Sequence, residues 1–513
     1  MSPMPLITAP ISRRARQAAL AAAATALLAG CSFIPAYERP AAPVPSDWPA
    51  SAGAPAGTGV TAADLPWQQF VQDAQLRELI ALALDNNRDL RIAAHSIEQT
   101  RAQYQIRRAD QFPSVGASAA GSRSEPNADR SAGAPSVASS YSVGIGVSAW
   151  ELDFFGRVAA LKDAALASYL ATEEARRTAQ ISLVASVAST WLQLRTDTEL
   201  LALAERTLAT RTQSLMLIRL RFEQGATSAL ELRQAESLTA AAQATRAQQA
   251  RLRAQDINLL ALLVGQAIPD ALVPPLPAVA APEPPRDAAL ASADIAPAAR
   301  LPGFAEVPAG LPSDLLLRRP DLRAAEQQLI AANAHIGAAR ANFFPRIALT
   351  GSLGRVSRDL DGMFGSGGSA AWSFGPSIAL PIFDMGRNQA NLESAQAARA
   401  IAVAQYEKAV QTAFREVADA LAARSTLADQ LAALQAQADA ERERLQLADL
   451  RWRNGVATYL DLLDAQRSLF ATQQALAQVQ LAQRVNEVQL YKALGGGWSA
   501  PDTAPATAAT GAR

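Results

Sequence analysis

The chain has 513 residues, half of them apolar, and 47 basic side chains balance 47 acidic ones. That is enough sequence for a large core or two ordinary domains, and it lacks the basic excess that a nucleic-acid partner demands. One cysteine and two histidines rule out an internal disulfide and leave little material for a metal site.

The N-terminus carries the first specific signal. Arg13, Arg14 and Arg16 form a positive region, and a short apolar stretch runs from Ala18 to Leu28. Leu28-Ala29-Gly30 then lead into Cys31. The stretch is too short to stay in a bilayer, and small residues before the thiol suit peptidase access. Residues 1–30 are therefore predicted to be a lipoprotein signal peptide, and Cys31 the lipidated (palmitate-bearing) residue of the mature chain. Once residues 1–30 are removed, 44 basic residues face 47 acidic ones. Ser32 stands where inner-membrane lipoproteins usually carry Asp, which by similarity to those sorting rules directs the anchor to the outer membrane. Residues 31–66, Pro-rich at the start, read as an extended tether.

The chain then repeats itself. Asn87-Arg88-Asp89-Leu90-Arg91 is echoed by Arg319-Pro320-Asp321-Leu322-Arg323, and Gln111-Phe112-Pro113 by Phe343-Phe344-Pro345, both at an offset of 232. Phe155-Gly156-Arg157 matches Met385-Gly386-Arg387, and Leu220-Arg221-Phe222 matches Leu450-Arg451-Trp452, at an offset of 230. Two structural repeats follow from this, over 67–265 and 313–495. A Pro/Ala-rich equatorial linker at 266–312 joins them, and a disordered tail closes the chain at 496–513.

Each repeat opens with a helical segment, 70–111 and 313–342, that a proline ends. Two strand-like runs come next. Val143, Ile145 and Val147 alternate with Gly144, Gly146 and Ser148, and Trp372, Phe374 and Ile378 alternate with Ser373, Gly375 and Ser377. One face is greasy and the other small and polar, the pattern of a membrane strand with a wet lumen. Four strands cannot enclose a channel and an open sheet edge cannot face lipid, so several chains must share one barrel.

After the strands each repeat runs without proline for roughly 70 residues to Gly225 or Gly455, then for roughly 35 more. Val187, Leu194, Leu201, Leu208, Leu215 and Phe222 recur every seven residues. So do Val410, Val417, Arg424, Leu431, Ala438, Leu445 and Trp452. Such a seam means left-handed coiled-coil packing, and a helix that long reaches about 100 Å.

With these features the chain resembles the outer-membrane efflux proteins of the TolC and OprM type, within them the lipoproteins that serve resistance-nodulation-division (RND) pumps. The residues that carry the likeness are Cys31-Ser32-Phe33-Ile34-Pro35, Trp150-Glu151-Leu152-Asp153-Phe154-Phe155-Gly156-Arg157, Leu316-Leu317-Arg318-Arg319-Pro320-Asp321-Leu322 and Tyr459-Leu460-Asp461-Leu462-Leu463-Asp464. The resemblance implies an α+β membrane protein. Its homotrimer would form a twelve-stranded outer-membrane β-barrel, four strands per chain, continued by a long periplasmic α-helical barrel. It also implies two partners, a periplasmic membrane-fusion adaptor and an inner-membrane RND transporter. Arg221, Gly225, Arg451 and Gly455 become the hairpin tips that meet the adaptor, and Leu460, Asp461, Asp464 and Arg467 the periplasmic gate.

A lipid-anchored enzyme fits less well. His95 and His335 occupy non-equivalent positions in the repeats, and no phosphate loop follows a strand. The expected chain is no enzyme and needs no cofactor beyond the covalent lipid on Cys31. The alternatives are the outer-membrane channel of a type I secretion system and an envelope structural lipoprotein, although the latter would need no alternating strands. A duct lined by Ser, Thr, Ala and Gly does not name its cargo.

Overall fold

A computed structural model describes residues 32–45, 65–124, 138–276, 301, 303–307, 318–363, 365 and 367–497. The expected signal peptide, Cys31, most of the linker and the tail from residue 498 lie outside them. The first half contributes α1 (Trp67–Phe70), α2 (Ala74–Asn86), α3 (Arg88–Ala109), β1 (Val115–Ser124), β2 (Ala138–Leu152), α4 (Arg157–Glu223) and α5 (Ala229–Val264). The second contributes α6 (Pro320–Ala341), β3 (Arg346–Ser357), β4 (Ser369–Ala379), α7 (Arg387–Arg453) and α8 (Tyr459–Ala493). The two long helices have 67 residues each and their return helices 36 and 35. The chain divides into two compact units, Met1–Ala41 with Ser96–Glu173 and Ala324–Glu407, and Ala42–His95 with Glu174–Arg323 and Lys408–Arg513.

The first unit holds the sheet, antiparallel throughout in the order β1-β2-β3-β4. Pairs such as Ile145 with Leu353 and Leu353 with Trp372 put the large apolar side chains on one face, since paired residues share a face. Trp372 is 77 % exposed and Ile378 70 %, so no described residue covers that face. Glycines, serines and alanines fill the other. There Gly144 lies opposite Gly354, and a Cβ on Gly354 would stand 2.3 Å from the Val143 carbonyl oxygen. The two backbones approach so closely on the small-residue face that only glycine fits at either position. A bulge between Val147 and Trp150, with Ala149 at φ 49°, returns Trp150 to the apolar face.

The segment from Ser32 runs extended along α6. Phe33 stacks on Phe344 at 4.6 Å and Phe155 on Phe344 at 5.0 Å. Ile34 lies so close to Gly337 that a Cβ there would stand 2.6 Å from it. Asn333 donates to the Pro35 carbonyl at 2.7 Å. Glu326 accepts from the Tyr37 hydroxyl and, through both oxygens, from the Arg39 fork at 2.8 and 2.9 Å.

In the second unit α2 buries Leu76, Leu79, Ile80 and Ala83. The helix expected over 70–111 is three helices here. Val71 leaves α1 to bridge Phe304. Asn87 breaks the chain again between α2 and α3, because its side chain accepts from the Leu90 amide and donates to the Leu263 carbonyl at 2.8 Å, which holds its backbone extended. The second opening helix starts at Pro320 instead of 313; residues 313–317 lie outside the described set. The linker, expected to hold no helix, contains one 3-10 turn, Asp270–Leu272. Gly496 packs on the Tyr491 ring, so order extends into the start of the expected tail. Arg319, itself buried, joins Asp321, Glu416 and the Ala493 carbonyl, which satisfies a charge that would be costly if left alone.

Among the described residues no helix is long and apolar enough to cross a membrane, and no group of His, Cys, Asp or Glu is placed to hold a metal ion.

Candidate functional site

The four long helices turn at two tips built alike. Gly225 and Gly455 each have φ +70°, a left-handed conformation that costs glycine nothing and other residues about 1–2 kcal/mol. The Gly225 amide donates to Phe222 and that of Ala226 to Arg221; Gly455 and Val456 repeat the pattern with Trp452 and Arg451. These bonds satisfy carbonyls that the helix end leaves free. The return helices start on matching caps. Ser228 accepts from the Glu231 amide, and Thr458 from the Asp461 amide.

Hydrophobic packing ties the tips together. Ile218, Leu232, Ala235, Tyr459, Leu462 and Leu463 form one buried cluster, with Leu215, Leu445 and Trp452 against it. The Arg221 guanidinium lies 5.1 Å above the Trp452 ring, a cation–π contact worth about 0.5–1 kcal/mol when exposed. Burial raises the Tyr459 hydroxyl pKa above its usual range, opposed by a hydrogen bond with Ser214.

The seven-residue seam is buried at Val187, Leu194 and Leu201 and opens toward the tip, where Phe222 is 39 % exposed. In the second half Val410, Val417 and Ala438 are buried.

Of the expected gate residues, Leu460 is exposed in the first turn of α8. Asp461 closes a capping box, its carboxylate accepting from the amide and hydroxyl of Thr458 at 3.0 and 2.8 Å. Those bonds hold its pKa below the usual carboxylate range. Asp464 is bound from two sides, by Arg444 at 2.6 Å and by Arg467 at 2.6 Å. The Arg444 bond, then the Arg467 bond, pull its pKa below the usual range.

The structure thus pairs Asp464 with Arg467 and gives Asp461 a separate partner. Arg444 was not singled out by sequence. It lies on α7, 20 residues before Asp464, in a run of alternating charges that reads as a solvated face. Trp452 as the seat of Arg221 was also missed, although the repeat that aligns Arg221 with Arg451 and Phe222 with Trp452 placed it at a tip.

A four-stranded sheet with one apolar and one small polar face and two 67-residue helices that turn at glycines are the features of an outer-membrane channel protein. The outer membrane efflux protein family matches residues 79–266 and 311–496. The solvent efflux pump outer membrane protein SrpC of Pseudomonas putida is 48 % identical over 477 residues, 92 % of this chain and 97 % of SrpC. A membrane protein from Pseudomonas aeruginosa matches at 45 % identity with a TM-score of 0.80, over 91 % of this chain and 98 % of that one. The open state of the Neisseria gonorrhoeae MtrE outer membrane channel matches at 40 % identity with a TM-score of 0.77, over 91 % and 99 %. The chain belongs to the outer membrane efflux protein family. It is the outer-membrane channel component of an efflux pump and not an enzyme.

Proposed function

We propose that three copies join edge to edge into a twelve-stranded barrel, continued by a periplasmic barrel of their helices, and serve as the passive exit duct of a tripartite RND-type pump. The observation that carries this reading is the sheet. Among the described residues its apolar face is uncovered, its other face carries small residues, and β1 and β4 have no outer partner. Unpaired backbone in lipid costs several kcal/mol per group, so the edges must meet those of other copies.

An inner-membrane transporter supplies the energy, and the hairpins of a membrane-fusion adaptor dock at the tips of Arg221, Gly225, Arg451 and Gly455. Leu460, Asp461, Asp464 and Arg467 form the periplasmic gate. Asp461 and Asp464 both stay ionised there, and Arg444 joins Arg467 on Asp464 as a further member. The mature chain begins at lipidated Cys31 after cleavage of residues 1–30. Residues 31–66 tether it, and 67–265 and 313–495 are the two repeats around the 266–312 belt. The name of SrpC points to organic solvents as one cargo class.

The test is planar-bilayer recording on the purified, detergent-extracted protein. A trimer that conducts in steps, with cations favoured, is expected; a monomer that leaves the bilayer silent overturns the reading. Cys31→Ser should accumulate as uncleaved precursor, and a normally processed Cys31→Ser protein would remove the lipid anchor from the account.

A further inference from the structure

The apolar face of the sheet changes its chemistry toward the end away from the helices. Paired residues share a face, so Ile145, Leu353 and Trp372 make one apolar row across three strands. Two residues further along β3, on the same face, stands Arg355, between Val143 and Ala370. The next row carries Tyr141 of β2, whose ring lies over Gly121 of β1. One row beyond it comes Arg123 of β1, opposite Ser139. Both arginines are exposed. Aliphatic side chains thus give way to Trp372 and Tyr141 and then to two guanidinium groups, the order in which a strand passes from hydrocarbon to headgroups.

The spacing agrees. A tilted strand crosses hydrocarbon in about 9–11 residues. Counted from the helix end, Arg355 is the tenth residue of β3 and Arg123 the ninth of β1. Neither charge is neutralised among the described residues. Arg355 donates through Nη2 to the Gly365 and Gly368 carbonyls at 3.0 and 2.8 Å, which fixes the plane of its fork and leaves Nε and Nη1 with no described partner. Arg123 makes no hydrogen bond or ion pair with a described residue. Arg358, Asp359 and Asp361 follow in the turn after β3, so the described rim sets three arginines against two acids.

We propose that Arg355 and Arg123 bind the phosphates of lipid A, the membrane end of the lipopolysaccharide in the outer leaflet, while its acyl chains lie on the apolar face over Leu353 and Trp372. This rests on the barrel reading above, in which that face meets the membrane, and it adds the lipid and its contacts. Lipid A is the occupant because positive charge stands directly above an apolar surface. That pairing calls for a ligand with phosphate at one end and hydrocarbon at the other, whereas free phosphate would satisfy the arginines alone. A guanidinium fork also matches phosphate geometry bidentately. The helices leave from the opposite end of the sheet, so the arginines meet the outer leaflet and not the phospholipid one.

Titration of the purified, detergent-extracted full chain with lipid A tests it, with bound lipid read by native mass spectrometry. Wild-type protein should bind the bisphosphorylated form about tenfold more tightly than the dephosphorylated form, and Arg123→Gln with Arg355→Gln should abolish that preference. Arg123→Gln alone breaks no bond among the described residues, so a reduced preference in that variant reports phosphate binding and not a loosened turn after β3. Arg346→Gln, at the other end of β3 on the small-residue face, should leave the affinity unchanged. Equal binding of both lipid forms by the wild type, or an undiminished preference in the double variant, overturns the proposal while a conducting trimer leaves the barrel reading standing. Wild-type protein that stays monomeric and silent in the bilayer overturns both.

Discussion

The two hairpin tips show what duplication preserves and what it lets drift. Gly225 and Gly455 share a backbone angle, a hydrogen-bond pattern and a capping residue class, because a long helix that must reverse needs those groups satisfied wherever it turns. The charges differ. Arg444, Asp464 and Arg467 form one linked set at the second tip, while Ser214, Gln234 and Ser237 stand at the equivalent places in the first. The first tip holds its own acid between two arginines, Glu236 with Arg219 and Arg233, so the charges have been kept in kind but moved in position, and the proposed gate rests on the second hairpin's set.

Removing the charge at one tip is the strongest way to break that comparison. Asp464→Ala leaves Arg444 and Arg467 facing each other, and the open fraction in bilayer recordings should rise on the order of tenfold across three copies. Gln234→Ala at the matching site should leave conductance unchanged. Equal openings from both variants would show that the gate is shared.

A smaller effect should be the same at both tips. Nothing lies within 4 Å of a Cβ built at Gly225 or Gly455, so Gly→Ala costs backbone strain alone, about 1 kcal/mol at either site. Thermal unfolding should show the two losses matching. Gly→Pro also removes the amide that donates to Phe222 or Trp452. On the proposed docking, those variants should keep the proposed trimer but lower efflux in a drug-susceptibility assay, since a distorted tip would no longer fit the adaptor.

The caps should separate the tips slightly. Ser228→Ala and Thr458→Ala each cost about 0.5–2 kcal/mol, and the Thr458 change should cost more because it also frees the Asp461 carboxylate. Equal losses for the two variants in chemical denaturation would show that the capping box contributes nothing.

The smallest effect concerns pH. Asp464 is held below the usual carboxylate range, so its contribution is present at neutral pH and lost only as pH falls through that lowered value. Conductance gating should be flat between pH 5 and 8, within about twofold. Glu199 behaves oppositely. Burial lifts it to about 7, so the folded chain holds its proton more tightly than the unfolded one. Stability is greatest in acid and declines as pH climbs from the ordinary carboxylate range toward 7. Unfolding temperature should therefore be higher at pH 5.5 than at pH 8 by about 2–4 °C, and Glu199→Gln should reduce the difference without removing it, because burial also lifts Asp256 to about 7.

Sequence alone determined whatever depends on near neighbours along the chain. Alternation over Val143 to Val147 and Trp372 to Ile378 assigned two strands and their apolar face, because a strand's side chains point to opposite faces with a period of two. Gly225 and Gly455 marked the turns because the left-handed angle is local to one residue. The seven-residue seam revealed the long helices, and the repeat offsets revealed the duplication. Tertiary structure decided what joins distant positions. Arg444 reaches Asp464 from another helix, Arg221 rests on Trp452, Asn87 ends α2 by binding Leu263, and Ile34 needs the bare backbone of Gly337. Spacing rules act within a turn or two of helix or along one strand. These partners meet only when separate elements pack, so no pattern along the chain announces them.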